Sequence, residues 1–127
     1  MRRRAVLAAV LLALVVPAAA SAHATMKEAH PAEQGEVDAP PTEVTLRFDQ
    51  SIEAPPNAIV VYAPDGRRLS GPVTQTDRNT VMRAPIRGAV KGQAYTVRWR
   101  ALSSDGHVVS GLWTFGVRVA APPPTEA

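Results

Sequence analysis

Strict alternation of apolar and polar residues recurs along this chain, and a period of two fits a half-buried strand but not a helix. In Glu43-Val-Thr-Leu-Arg-Phe-Asp49, Val44, Leu46 and Phe48 fall on one side and Thr45 and Arg47 on the other. Tyr95-Thr-Val-Arg-Trp-Arg-Ala101 repeats the pattern with Tyr95, Val97, Trp99 and Ala101 inward, and Trp113, Phe115, Val117 and Val119 repeat it again. Ala58-Ile-Val-Val-Tyr-Ala63 is a short run rich in β-branched residues, closed by Pro64-Asp65-Gly66, which presets the dihedrals of a hairpin-like turn. Val73 to Ala84 reads as a weaker, polar strand or pair of strands, and Ser103-Ser-Asp-Gly106 as a turn. No window carries a sustained 3.6-residue period with caps.

Short strands separated by Pro, Gly and Asp turns over about 100 residues predict an all-β domain. The expected form is a Greek-key antiparallel β-sandwich or barrel of about seven strands, immunoglobulin-like. The six aromatic side chains, Phe48, Tyr62, Tyr95, Trp99, Trp113 and Phe115, all lie in these patterns, so most are expected in the core rather than on a substrate platform. The chain has no Cys, which excludes a disulfide framework, a thiolate zinc site, an iron–sulfur cluster and a cysteine nucleophile.

The N-terminus is of another kind. Arg2, Arg3 and Arg4 precede an apolar run from Ala5 to Val16, and Pro17 leads into Ala18-Ala-Ala-Ser-Ala22. This is the layout of a secretory signal peptide over residues 1–22, with Ala20 and Ala22 as the small residues before cleavage at His23; Ala18 and Ala20 form a competing site. The apolar run is too short to span about 30 Å of hydrocarbon comfortably. Of the 14 Lys and Arg residues, these three belong to the leader, so the rest balance the 11 Asp and Glu residues. The mature chain is therefore expected to be formally neutral, periplasmic or extracellular, and without the basic surface that nucleic-acid binding requires. Residues 23–119 form the expected domain, and residues 120–127, rich in Pro, an extended, disordered tail. A monomer is expected.

The chain has only three histidines, His23, His30 and His107. Cleavage before His23 would give that residue both a free α-amine and an imidazole, a chelating pair that no internal histidine offers. Asp105-Gly106-His107 supplies a carboxylate and an imidazole at i and i+2, which point to the same side in an extended segment, with Gly106 permitting a tight bend. Two nitrogens from His23, one from His107 and an oxygen from Asp105 form a nitrogen/oxygen set suited to Cu(II); zinc prefers a tetrahedral arrangement. On spacing alone the plainer alternative comes first, with Asp105 stabilising a turn and His107 a partly exposed strand residue. His30 reads as a surface loop residue, and Met26 and Met82 as filler rather than a Cu(I) site. Ser103, Asp105 and His107 lie too close in sequence for a catalytic triad, and no phosphate loop or paired carboxylates are present.

His23-Ala24 after the leader, His30-Pro-Ala-Glu-Gln-Gly35, Val44-Thr-Leu-Arg-Phe48, and above all Tyr95-Thr-Val-Arg-Trp-Arg-Ala-Leu-Ser-Ser-Asp-Gly-His107, followed by Gly111 and Phe115-Gly-Val117, span nearly the whole mature chain. In these residues the chain resembles the CopC family of periplasmic copper-binding proteins, which includes the PcoC-type resistance proteins. The resemblance implies a Greek-key β domain and a Cu(II) site of an N-terminal His, an Asp and a second His, matching His23, Asp105 and His107. It also implies a role in copper trafficking, sequestration or resistance, often beside a CopD-type membrane protein. The chain lacks the Met-rich stretch that forms a Cu(I) site in some members and carries His30 where a Ser or similar residue is usual.

A non-catalytic Cu(II) carrier is thus the leading expectation. One alternative is a copper-dependent oxidative enzyme, since a similar histidine brace occurs in polysaccharide-cleaving monooxygenases. The other is a metal-free immunoglobulin-like interaction module.

Overall fold

The longest alternating segments pair with each other and build the domain around them. The computed structural model describes residues 23–125; the expected leader, residues 1–22, and the last two residues of the tail lie outside the described residues. In chain order the strands are β1 (Met26–His30), β2 (Glu36–Val37), β3 (Glu43–Phe48), β4 (Ile52–Glu53), β5 (Ile59–Tyr62), β6 (Thr74–Thr76), β7 (Val81–Pro85), β8 (Gln93–Ser103) and β9 (Val108–Val117). One sheet has the order β1-β3-β7-β6, and the other the order β2-β9-β8-β4, with β5 also paired to β8. The chain crosses repeatedly between the two sheets, as the Greek-key expectation requires, and the sandwich is confirmed.

The inward side chains of the long strands follow from their alternation. Val44, Leu46 and Phe48 of β3 are buried, as are Tyr95, Val97, Trp99 and Ala101 of β8 and Trp113, Phe115 and Val117 of β9. Each large apolar side chain fully removed from water contributes roughly 1.5–3 kcal/mol. Phe48 meets Trp99 edge to face across the two sheets, with ring centroids 5.4 Å apart, and Tyr95 packs on Phe115 at 5.5 Å. Trp99 lies directly over Gly111, its partner on β9, and a Cβ at position 111 would run into its indole ring. The aromatic side chains are therefore core, with Tyr62 only half-buried.

Several details differ from the sequence reading. Among the described residues there are nine strands rather than about seven. β2 and β4 have two residues each, too few for alternation to show, and β1 lacked an apolar phase to reveal it because its residues are half-buried or exposed. The pairing is not wholly antiparallel: β2 runs parallel to β9, Glu36 opposite Gly116 and Val37 opposite Val117. The 31–35 turn delivers it there, with Gln34 N–H donating to Thr114 O and Gly116 N–H to Gly35 O. β9 ends at Val117, because Arg118 takes a left-handed φ of 53°, so Val119 falls outside the strand. Residues 120–125 form no strand, and the Thr114 hydroxyl donates to Pro122 O.

Substituting Gly111→Ala forces its methyl against the Trp99 ring and is expected to lower stability by about 1–3 kcal/mol. Urea unfolding followed by tryptophan fluorescence measures the loss.

Candidate metal centre

β8 and β9 are joined by a short turn at one end of the sandwich, and the N-terminal segment passes beside it. Ser103 N–H donates to His107 O at 2.8 Å and Gly106 N–H to Ser103 O at 3.0 Å, which closes the turn. Gly106 has φ 88°, a left-handed conformation that glycine adopts without steric cost. Asp105 Oδ1 accepts the His107 backbone N–H at 3.1 Å, the side-chain-to-backbone bond for which Asp is favoured in turns.

The other carboxylate oxygen faces the histidines. Asp105 Oδ2 lies 3.0 Å from His107 Nδ1 and 3.3 Å from His23 Nε2. The imidazole centroids are 4.8 Å apart with the ring planes at 76°. The turn-stabilising reading of Asp105 is thus realised through Oδ1, while Oδ2 is left facing both imidazoles. Asp105 and His107 do meet, but through a turn and not along an extended strand as their i, i+2 spacing suggested. His107 precedes β9 rather than belonging to it.

His23 is brought there by its neighbours. Ala24 N–H donates to Ser103 Oγ at 2.8 Å in a buried bond. Thr25 N–H donates to Asp49 Oδ1 at 2.9 Å, and Asp49 N–H to Thr25 O at 3.0 Å. Sequence reasoning placed Ser103 only at the start of the turn and in a rejected triad, although a further signal existed: Ser103 continues the inward phase of Tyr95, Val97, Trp99 and Ala101, a polar residue where the pattern demands an apolar one.

One donor atom each from His23, Asp105 and His107 lies within 4.8 Å of the others. Two ligands about 2 Å from one ion are separated by about 2.8 Å when adjacent and about 4 Å when opposite. The carboxylate oxygen is therefore near adjacent-ligand spacing from both nitrogens. The His23 and His107 side chains keep 59% and 69% of their exposure, whereas that of Asp105 keeps 19%. The cluster is an open rim with a shielded carboxylate at its centre.

His30 is elsewhere. It ends β1 opposite Thr45, at the end of the strand away from His23, and is exposed at a strand end rather than in a loop. Met82 is fully buried in β7 and Met26 is half-buried against the core, so neither joins the cluster.

The carboxyl group of Asp105 is held below its ordinary value of 3.8, chiefly by the backbone N–H of His107; partial shielding from water opposes this, and the imidazoles of His107 and His23 add to it. Its folded value thus lies below that of the unfolded chain. Any stability it lends is present above the unfolded value and is lost as pH falls through the folded one. In the metal-free protein, carbon-13 NMR is expected to place the Asp105 titration midpoint below 3.8. His107→Ala, which keeps the backbone N–H, should retain most of that depression.

These features define a small β-sandwich protein with an exposed imidazole–carboxylate–imidazole centre at one end. Residues 26–118 match the CopC domain family, and the chain belongs to it, a family of copper-binding proteins that are not enzymes. Among curated relatives, Protein YobA of Escherichia coli (strain K12) is 30% identical over 113 residues, covering 87% of this chain and 90% of its own length. The Copper transport protein CutJ of Bacillus subtilis (strain 168) is 28% identical over 109 residues, covering 84% of this chain; the match takes in only 20% of CutJ. Among solved structures, CopC from Methylosinus trichosporium OB3b has a TM-score of 0.62 at 30% identity, over 75% of this chain and 93% of that one. PcoC, a methionine-rich copper resistance protein from Escherichia coli, has a TM-score of 0.63 at 24% identity, over 76% of this chain and 100% of that one, and supports the fold. The family resemblance drawn from the Trp99-to-His107 string therefore holds, and family membership sets aside the oxidative-enzyme and metal-free alternatives.

Proposed function

We propose that this protein is a Cu(II) carrier or buffer that acts outside the cytoplasmic membrane, in the periplasm or beyond, and takes the ion as cargo at His23, Asp105 and His107. The convergence of two imidazoles on one carboxylate oxygen, 3.0 and 3.3 Å away, carries the reading. CutJ, named as a copper transport protein, and CopC, at 30% identity, support copper as the metal.

Cleavage of the leader before His23 would supply the fourth donor, the α-amine. A chelate ring through that amine closes on Nδ1, whereas His23 now addresses Asp105 with Nε2. Binding therefore entails reorientation of the His23 ring, while His107 and Asp105 stay where the turn holds them. Two neutral imidazoles, a neutral amine and one carboxylate leave a net single positive charge on the Cu(II) complex. The nitrogen-rich set favours Cu(II), which stands at the top of the divalent affinity order, and the absence of thioethers from the cluster disfavours Cu(I). Asp105 remains a carboxylate in mild acid, its carboxyl group being held low chiefly by the His107 N–H, so proton competition falls on the nitrogen donors. The exposed histidines leave room for an incoming ligand, which suits transfer to an acceptor such as a CopD-type membrane protein. The carrier is proposed to act as a monomer.

Cu(II) competition titration with electron paramagnetic resonance, on the chain starting at His23 and on the same chain with one Gly before it, tests the amine. The first is expected to bind tightly with a nitrogen-rich tetragonal spectrum and the second to bind far more weakly. Indistinguishable binding by the two would remove the amine from the site, and no binding by either would end the copper reading.

His107→Ala and Asp105→Ala separate the remaining donors. Both are expected to weaken Cu(II) binding, His107→Ala more, because a lost nitrogen costs this ion more than a lost oxygen. Wild-type affinity in both variants would sink the assignment.

A further inference from the structure

Ser103 is bonded to both halves of the centre. Its hydroxyl accepts the N–H of Ala24, the residue after His23, across 79 positions of sequence. Its own N–H and carbonyl meet His107 and Gly106 and close the turn that presents Asp105. Ser103 is 3% exposed, and among the described residues it and Thr114 are the buried polar ones. At the inward phase of β8 an alanine would fill nearly the same space without burying a hydroxyl, which costs free energy unless it is partnered. What the hydroxyl adds is an acceptor for a single N–H, the one that fixes where His23 leaves the sandwich.

We propose that Ser103 is a positioning residue for Cu(II) binding, aligning the N-terminal histidine with the Asp105–His107 turn before the ion arrives; this rests on the copper reading above. Without the Ala24 bond, the next anchor of the N-terminal segment is the Thr25–Asp49 pair. The chain is then free to rotate at residues 23 and 24, and the ordering of His23 falls to the binding step, which lowers affinity. The same bond has a chemical consequence. The Ala24 N–H is committed to Ser103 and turned toward the interior, so the ion takes nitrogen from the His23 amine and imidazole and not from a deprotonated Ala24 amide.

The test uses processed protein recovered after export of the full-length chain, its His23 terminus verified by mass spectrometry. Ser103→Ala is expected to weaken Cu(II) binding about tenfold or more, the range seen when an outer partner of a metal ligand is removed. Its paramagnetic resonance spectrum is expected to lose the single well-defined form of the wild type. Val97→Ala, a core truncation away from the site, should lower the melting temperature yet keep wild-type affinity and spectrum. In a His23→Ala background, Ser103→Ala should have little further effect, because it acts through His23. In metal-free wild-type protein, the Ala24 amide should be protected from hydrogen exchange, a measurement that needs no variant to fold.

Tight wild-type binding with an unchanged Ser103→Ala variant overturns this inference alone. So does an equal loss in the His23→Ala background, a Val97→Ala variant that reproduces the effect, or an unprotected Ala24 amide. Wild-type protein that binds no Cu(II) overturns the copper reading and this inference with it.

Discussion

The antiparallel ladder between β8 and β9, from Gln93 opposite Val117 to Leu102 opposite Val108, supports both the core and the site. Its inward face carries Tyr95, Val97, Trp99, Trp113 and Phe115, the side chains on which the second sheet closes through Phe48. Its far end is the turn that bears Asp105 and His107. Because side chains alternate with a period of two, a one-residue slip in this ladder would turn every core residue outward. Gly111 beneath Trp99 locks the register, since other pairings would set a side chain under the indole. The site thus inherits its rigidity from the best-packed part of the molecule.

Around that turn, the two oxygens of Asp105 divide the work. Oδ1 is spent on the His107 N–H, which orients the carboxylate and holds it ionised, leaving Oδ2 between the two imidazoles. The backbone bond makes the larger contribution to that ionisation, so the carboxylate is prepared by the fold rather than by the arrival of a cation. A hydrogen bond that looks purely structural therefore keeps the carboxylate ionised, as the proposed site needs. The histidines stay exposed while the carboxylate is shielded, an arrangement suited to holding an ion without enclosing it.

The long strands were legible in the sequence because β3 and β8 face water on one side and the core on the other, an asymmetry that writes itself as alternation, and β9 keeps the alternation in its side chains although residues 113–117 are all buried. The short strands were not. β2 and β4 are ordered by partners distant in the chain, as when the 31–35 turn sets β2 against β9, and two residues cannot show a period. The same logic separates the parts of the site. Asp105-Gly106-His107 is local, and a motif can display it. The meeting of His23 with that turn depends on Ala24 reaching Ser103 and Thr25 reaching Asp49, contacts made only by the folded chain. Ser103 lay in plain view as a polar residue on an apolar phase, but its partner could not be read without the fold.

In the proposed processed form, the donor set is complete only when the bond before His23 is cut, which would couple copper capture to export. Inside the cell the α-nitrogen of His23 is a peptide nitrogen and a poor ligand, and the residues left to bind are two exposed imidazoles and one carboxylate. The same cut removes the basic n-region and brings positive and negative side chains into balance. A neutral protein gives a cationic cargo little long-range attraction, and what holds the ion is the short-range geometry of its donors. For a carrier that geometry must also be reversible. The proposed donors stand on exposed residues at the end of the sandwich and not within its core, so on this reading release of the ion would leave the packing that defines the fold undisturbed.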